Sequence, residues 1–549
     1  MSKLKLFGQA LELYQKIGNN NFDSNIQKYI INALEKQFKS KKKISIQTFK
    51  LILQIDPSLI KSMNDVSAEI LNDSIKTYKK NKNEETLDFI FDLLNILAPK
   101  RQENQLIIPL DEIDFTMSFT SNRIQLLSQA ANQTILRQAP QNLTESDPFF
   151  WNLYGQHRLF LNEIVTNNEE YFEKVKFLKD FPELVSFEKR LSFFHSKMKD
   201  KIDRNERLEI SVNRSNVLVD SYQILNDKSY DEWLYDIEVK FKGESGIDMG
   251  GLTKEWFTLI VKDIFNPNFA LFSLYENKSY QPNQFSGINQ EHLEFFNFAG
   301  KIIARSIIQG QCINAHFCRS FCRQILHQQV KLKDIGDIDE SIYNSLQIIL
   351  NEDVEPLELN FTIDVNEYGS QKTVLLKENG DEIDVNNENK VEYASLYVNY
   401  HLRKSIISQI NAFIEGFNWL IPHEDIRIFS PNELDLIICG IPEIDINDLR
   451  ENTVYTEPYD DEHPVIEMFF SAISKWDPDN LAKFLLFLTG SSQVPINGKP
   501  ITIGPGGDRS RFCVAHTCFN QLDLPEYENE NELNDKLLLS IQECEFGIL

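Results

Sequence analysis

The stretch SPNELDLIICGIP sets both ends of a single helix and forbids it to continue. Ser430 stands at the N-cap, Pro431 at the first helical position and Glu433 at the third, so hydroxyl and carboxylate can each satisfy a free backbone amide. Gly440 follows the last apolar residue, where glycine closes a helix in the left-handed region without a Cβ penalty, and Pro442 bars a restart. A helix closed in this way and running out into Gly440-Ile441-Pro442 has the form of a hinge. It separates a long stretch ending at residue 439 from residues 443–549.

The segment after the hinge carries its own core. DPDNLAKFLLFLTG runs from an Asp477 cap to Gly490, and NELNDKLLLSIQE is a second helical stretch. Between them lies VAHTCFNQLDLPEY, which reads as a turn running into a strand. His516 and Cys518 stand at i and i+2, on one side of an extended strand. Cys518 is then a nucleophile, a metal ligand or a buried thiol, and spacing leaves the first and third open. Cys513, His516 and Cys518 are three potential ligands, but structural zinc takes four and the stretch supplies no other. No metal and no cofactor are expected. Cys312, Cys318, Cys322, Cys439 and Cys544 lie on apolar patterns and read as small core residues.

At roughly 100–200 residues per domain, 549 residues suggest about three domains. With 42% hydrophobic residues and 39 Phe the chain can build sizeable cores, which excludes a disordered chain. A formal charge of −26 argues against direct nucleic-acid binding, which needs a basic face, and favours partners with basic patches. No run approaches the ~18–20 apolar residues of a membrane span, and the first residues lack the apolar core of a signal peptide. Seven Cys, an odd number, fit free thiols in a reducing compartment. The expected location is the cytoplasm, with the nucleus left open.

To about Pro99 the chain reads as short amphipathic helices, namely LFGQALELYQKI, NIQKYIINALEKQF, SIQTFKLILQI and ETLDFIFDLLNIL. Residues 1–148 are expected to be α-helical, a helical array in outline, with a loop-rich stretch over 100–148. From Phe149, FFWNLYGQHRLFLNEIV opens a helical segment over 149–182. From about Arg207, RLEISVNRS and LYDIEVKFKG alternate like strands, while TKEWFTLIVKDIF and EFFNFAGKIIARSII are helical. Trp256, Leu259, Ile260 and Ile264 share one face of the former helix. Strands and helices mixed without a regular βαβ rhythm predict an α+β fold. GESGIDMGGLTKEW has the strand-to-helix context of a phosphate loop, yet its glycines fit neither GxGxxG nor GxxxxGK[ST]. Glu244 and Asp248 also stand where an anion would lie, so a tight turn is the expectation. IGPGGDRSR lacks a P-loop lysine and reads as a surface loop.

Taken in order, these motifs resemble the HECT family of E3 ubiquitin ligases over roughly residues 183–549. GESGIDMGGLTKEWFTLIVKDIFNP and FFNFAGKIIARSI resemble its N-lobe, followed by LKENGDEIDVNNENKVEYASLY and FIEGFNWLIP. FSPNELDLIICG resembles the helix entering the interlobe hinge, and FLLFLTGSSQVP with AHTCFNQLDLPEY resembles the C-lobe. GIPEIDINDLRENTVY and LLLSIQEC are most similar to the branch of giant ligases with UBA and WWE domains and its fungal relatives. The resemblance implies a bilobal catalytic domain: an E2-binding N-lobe over 183–439, a hinge over 440–442 and a C-lobe over 443–549, with 149–182 as a pre-catalytic segment. It implies that ubiquitin passes from a charged E2 to Cys518 as a thioester and then to lysines of protein substrates. His516 and Thr517 would shape the pocket and tune the thiol, and Phe546, fourth from the end, would dock the tail for lysine transfer. The E2 groove would involve Ile342, Leu346 and Ile349, at i, i+4 and i+7 of one helix, together with Tyr393. The bland alternative for such a stripe is core; the groove reading needs these side chains partly exposed.

The departures bear on activity. Phe512 and Cys513 replace the family's Leu-Pro, the loop INGKPITIGPGGDRSR is shorter than usual, and Glu545 replaces a glycine in a shortened tail. An active ligase is one reading, and a ligase-like scaffold that binds E2 or ubiquitin but transfers poorly is the other. An unrelated cysteine hydrolase would need an orienting residue and an oxyanion donor that spacing does not identify.

Overall fold

The computed structural model describes residues 64–99, 147–167, 170–244, 248, 250–367, 369–440, 446–490, 500–517 and 519–545. The chain divides into two compact units, residues 1–112 with 129–193, and residues 113–128 with 194–549. The first three helical stretches expected before Pro99, and the loop-rich stretch over 100–146, lie outside the described residues.

Among the described residues the first unit is helical. Asn83 caps the helix Glu84–Leu97, its side chain accepting from Thr86 N, and Glu84 and Glu85 favour the positive end of the helix dipole. Its buried face runs from Leu87 to Leu97. The helix Asn64–Asn81 was not legible in the sequence. Its buried stripe is Ser67, Ile70, Leu71, Ser74 and Ile75, and the two serines hide the helical period. The helix Pro148–Asn167 begins where FFWNLYGQHRLF predicts, and Phe150, Trp151, Tyr154, Phe177 and Phe181 pack edge to face behind it.

The second unit is α+β and bilobal. In its larger lobe the strands Asp203–Val212 and Tyr235–Phe241 pair in parallel, with the helices Val217–Leu225 and Tyr230–Trp233 as the crossover. The helix Gly251–Ile264 buries Thr253, Trp256, Phe257, Ile260, Val261 and Ile264, while Leu259 is only half-buried. The helices His292–Gln309 and Ile407–Leu420 form the centre of the lobe. Glycine sets their spacing: a Cβ on Gly300 would lie 2.1 Å from Phe413 O, and one on Gly416 would lie 1.9 Å from Asn297 O.

Residues 335–402 build a sub-lobe with its own core, comprising the helices Glu340–Asn351 and Lys390–Leu402 and the hairpin Thr362–Glu367/Ser370–Leu375. Asp339 caps the first of these helices through Ser341 N and Ile342 N. A buried ion pair, Arg323 Nε to Asp334 Oδ2 at 2.9 Å, stands at the entrance to the sub-lobe. Both charges are out of water, so removing one would leave the other uncompensated.

The helix Pro431–Cys439 forms as its sequence dictates. Ser430 N donates to Glu433 Oε2 at 2.8 Å and Glu433 N donates to Ser430 Oγ at 3.3 Å. Gly440 has φ +79° and closes the helix through Leu436 O. Residues Ile441 and Pro442 of the expected hinge lie outside the described residues. The smaller lobe that follows holds a four-stranded sheet in the order Thr453–Tyr455, Ile501–Pro505, Gln521–Leu524, Val514–His516. The first three strands run parallel and the last pairs antiparallel to Gln521–Leu524. The helices Pro464–Ile473, Pro478–Thr489 and Glu530–Glu545 contribute Phe469, Phe484, Leu488, Leu533 and Leu537 to its core. No helix among the described residues is long and apolar enough to cross a membrane.

Candidate active site

The chemistry-bearing segment lies between the last two paired strands of the smaller lobe. Antiparallel pairing sets Gln521 opposite His516, Leu522 opposite Ala515 and Asp523 opposite Val514. Leu522 and Leu524 point into the core, so Gln521 and Asp523 lie on the opposite face of the strand. There His516 Nε2 and Asp523 Oδ2 are 2.9 Å apart, and Gln521 Nε2 donates to Asp523 Oδ1 at 2.8 Å. The carboxylate thus holds one ring nitrogen of His516 while the ring stays exposed. Phe519 N donates to His516 O at 2.9 Å and closes the turn, and Asn520 follows at φ +52°, a conformation asparagine tolerates. Cys518, in the middle of this turn, lies outside the described residues.

One side chain from the larger lobe reaches this turn. Lys254 Nζ donates to Thr517 O at 2.8 Å, to Thr489 O at 2.8 Å and to Asn520 Oδ1 at 3.2 Å. Thr517 therefore enters the site through its backbone carbonyl.

The other thiols of the second unit whose side chains are described read as structural. Cys318, Cys322, Cys439 and Cys513 are buried, whereas Cys312, expected in the core, is only half-buried. Burial pushes Cys513 up to about 11, beside Tyr527 Oη at 3.6 Å, and pushes Cys318 up to about 12. Cys513, where the family has proline, is a core residue next to the site. Among the described residues His316, Asp435 and Cys439 bring potential metal-ligand atoms within 4.8 Å of one another. They are engaged with the protein: His316 Nδ1 lies 3.0 Å from Asp435 Oδ2, Phe317 N donates to Asp435 Oδ1, and Cys439 Sγ donates to Ala315 O. This network staples the helix that enters the hinge.

The expected E2 groove needs correction in its side chains. Leu346, Ile349 and Tyr393 are 2%, 9% and 5% exposed, inside the core of the sub-lobe, and only Ile342 is partly exposed. An i, i+4, i+7 stripe is also what a helix turns toward its own core, and here the core took it. The surface beside these residues does carry an apolar groove of about 470 Å³, lined by Leu332, Leu350, Val391, Ala394 and Leu396, with Arg403 at its edge. Val391 is 66% exposed there. Phe546 lies outside the described residues. Sequence reasoning missed Asp523 and Lys254. The period-two alternation of QLDL could have found the first, and no local signal points to the second.

A sequence model of the HECT-domain (ubiquitin-transferase) family matches residues 258–549. The chain is 38% identical over 430 residues to the E3 ubiquitin-protein ligase UPL1 of Arabidopsis thaliana, covering 74% of this chain and 12% of that protein. It is 34% identical over 459 residues to the E3 ubiquitin-protein ligase TOM1 of Saccharomyces cerevisiae, covering 80% and 14%. It is 39% identical over 371 residues to the E3 ubiquitin-protein ligase NEDD4 of Homo sapiens, covering 65% and 28%. The chain thus spans only 12% of UPL1 and 28% of NEDD4.

Proposed function

The chain belongs to the HECT family of ubiquitin transferases, and from that premise we propose that it is an E3 ligase that carries ubiquitin as a thioester on Cys518. In the first step the Cys518 thiolate attacks the carbonyl carbon of an E2-bound ubiquitin thioester. A new C–S bond forms and the E2 thiolate leaves. In the second, the neutral amine of a substrate lysine attacks the same carbonyl. The C–N bond forms, the amine gives up a proton to solvent, and the Cys518 thiolate leaves. The first step exchanges one thioester for another and is nearly balanced in energy, so positioning is the main demand. Both steps pass through a tetrahedral oxyanion, and the second also needs a neutral amine held in line with the carbonyl.

One observation carries this reading: the turn around position 518 is closed by Phe519 N to His516 O and braced at its base by Asp523 on His516. Such a brace would support a reacting residue in the turn. The E2 would dock its apolar loop residues in the groove of the sub-lobe, above the core that holds Leu346, Ile349 and Tyr393. Gly440, Ile441 and Pro442 would let the small lobe swing between donor and acceptor, and Phe546 would dock the tail for the second step. The partners proposed are a charged E2, ubiquitin and protein substrates, in the cytoplasm and with access to the nucleus. The net charge of −26 argues against nucleic acid as a direct partner.

The test is a loading assay with a charged E2. Wild type should form a reductant-sensitive ubiquitin adduct, absent from Cys518→Ala. Phe546→Ala should load normally and build fewer chains. An adduct that survives in Cys518→Ala, or none in wild type with any E2, would sink the proposal.

A further inference from the structure

Glu244, Asp248 and the start of the helix Gly251–Ile264 take no part in the reaction as proposed, yet they are heavily braced. Asp248 accepts from Val239 N at 2.9 Å and Thr253 Oγ1 at 2.6 Å with one oxygen, and from Gly250 N at 2.8 Å with the other. Gly250, at φ +100°, makes the turn into the helix Gly251–Ile264. Arg214 stands with its guanidinium 4.1 Å from the centre of the Phe241 ring, gripping Glu244 through Nε and Nη2 and Glu255 through Nη1 and Nη2. Strand, loop and helix start are tied together on either side of Lys254.

What this mount presents is one ammonium that meets three acceptors among the described residues. Lys254 Nζ meets Thr489 O, Thr517 O and Asn520 Oδ1, and all three acceptors belong to the smaller lobe. Thr489 ends the helix Pro478–Thr489, where free carbonyls and the negative end of the dipole favour a cation. The smaller lobe is shaped to receive the side chain. Gly490 has φ +74°, and a Cβ there would lie 3.2 Å from both Cβ and Cδ of Lys254. Thr258 Oγ1, one turn along the same helix, donates to Gly490 O at 3.4 Å.

We propose that Lys254 is a positioning residue for the second half-reaction: it pins the smaller lobe to the larger one by the backbone of the Cys518 turn while a lysine attacks the thioester. This rests on the function proposed above. The assignment to the second step follows from chemistry. Loading needs the turn free to meet a cysteine on another protein, whereas amide formation needs the acyl carbon held in one orientation before a small nucleophile. A positive charge bonded to the carbonyl just before Cys518 also favours an oxyanion, but one forms in both steps, so the assignment to the second rests on orientation.

The experiment compares wild type, Lys254→Met and Lys254→Arg. Each is loaded once from a charged E2, further charging is stopped, and discharge to free lysine is timed. Lys254→Met should load within about twofold of wild type but discharge about tenfold more slowly, and Lys254→Arg should recover most of the loss. The denaturation midpoint should not move. In the unloaded protein, Lys254→Met should speed amide exchange at Phe519. Discharge at the wild-type rate, or an equal fall in loading and discharge, overturns the proposal. If wild type itself takes no ubiquitin, it is the ligase reading that fails. Amide exchange at Phe519 then decides the Lys254 contact alone, unchanged exchange overturning it.

Discussion

His516 and Asp523 hold each other across the antiparallel strands that frame the Cys518 turn, Nε2 to Oδ2 at 2.9 Å. The pair orients an exposed imidazole without burying it. Asp523→Asn should therefore leave stability within about 1 kcal/mol of wild type, as for most exposed charge pairs. It should slow discharge to lysine by about threefold to tenfold, the range of one ordinary hydrogen bond weakened. Single-turnover discharge and a urea titration together check this.

The sub-lobe groove gives a second expectation. Val391 is 66% exposed at its edge, so Val391→Asp costs the fold little, within about 0.5 kcal/mol. A carboxylate there would oppose an apolar partner loop. Loading at low E2 concentration should fall about tenfold and return toward wild type at high concentration, the signature of lost affinity. Loading that stays normal at every E2 concentration would place docking elsewhere. Leu346→Ala, in contrast, should destabilise the sub-lobe by about 2–5 kcal/mol, because it opens a cavity in its core.

Gly416 and Gly155 make a matched pair. A Cβ on Gly416 would collide with Asn297 O at 1.9 Å, whereas one on Gly155 meets nothing within 4 Å. Gly416→Ala should destabilise by about 1–3 kcal/mol or more through overpacking. Gly155→Ala, inside the helix Pro148–Asn167, should stabilise by about 0.4–1 kcal/mol. Chemical denaturation of the two variants reads both signs.

Thiol reactivity should separate Cys518 from the buried cysteines. Burial pushes Cys513 up to about 11 and Cys318 up to about 12, so both are almost wholly protonated at pH 8 and shielded as well. Brief alkylation of the native protein at that pH, followed by peptide mapping, should label Cys518 and spare Cys318, Cys322, Cys439 and Cys513. Denaturation should expose all of them to label.

Much of the fold could be read ahead of the structure where the signal is local. The cap residues Ser430 and Glu433 and the terminator Gly440 placed one helix to the residue. The strand 235–241 and the part of 203–212 from Arg207 onward showed in their alternation. The helix Asn64–Asn81 did not show, because Ser67 and Ser74 stand on its buried stripe. The stripe of Ile342, Leu346 and Ile349 showed correctly as an apolar face. Whether that face met a partner or the chain's own interior depended on what packed over it, and Phe361, Val385 and Tyr393 did.

The sequence by itself determined the ends of the capped helices such as Pro431–Cys439, the strand faces, the acidic net charge and the Cys518 motif with its family. These follow from residues within a few positions of one another, where dihedral preference and periodicity act. Only the tertiary structure decided which carbonyls Lys254 binds. Thr517 is 263 positions away from it, and the bond exists because Asp248, Arg214 and Gly490 bring two separately packed lobes to hydrogen-bond range. No local pattern encodes that distance; it is the sum of many packing contacts.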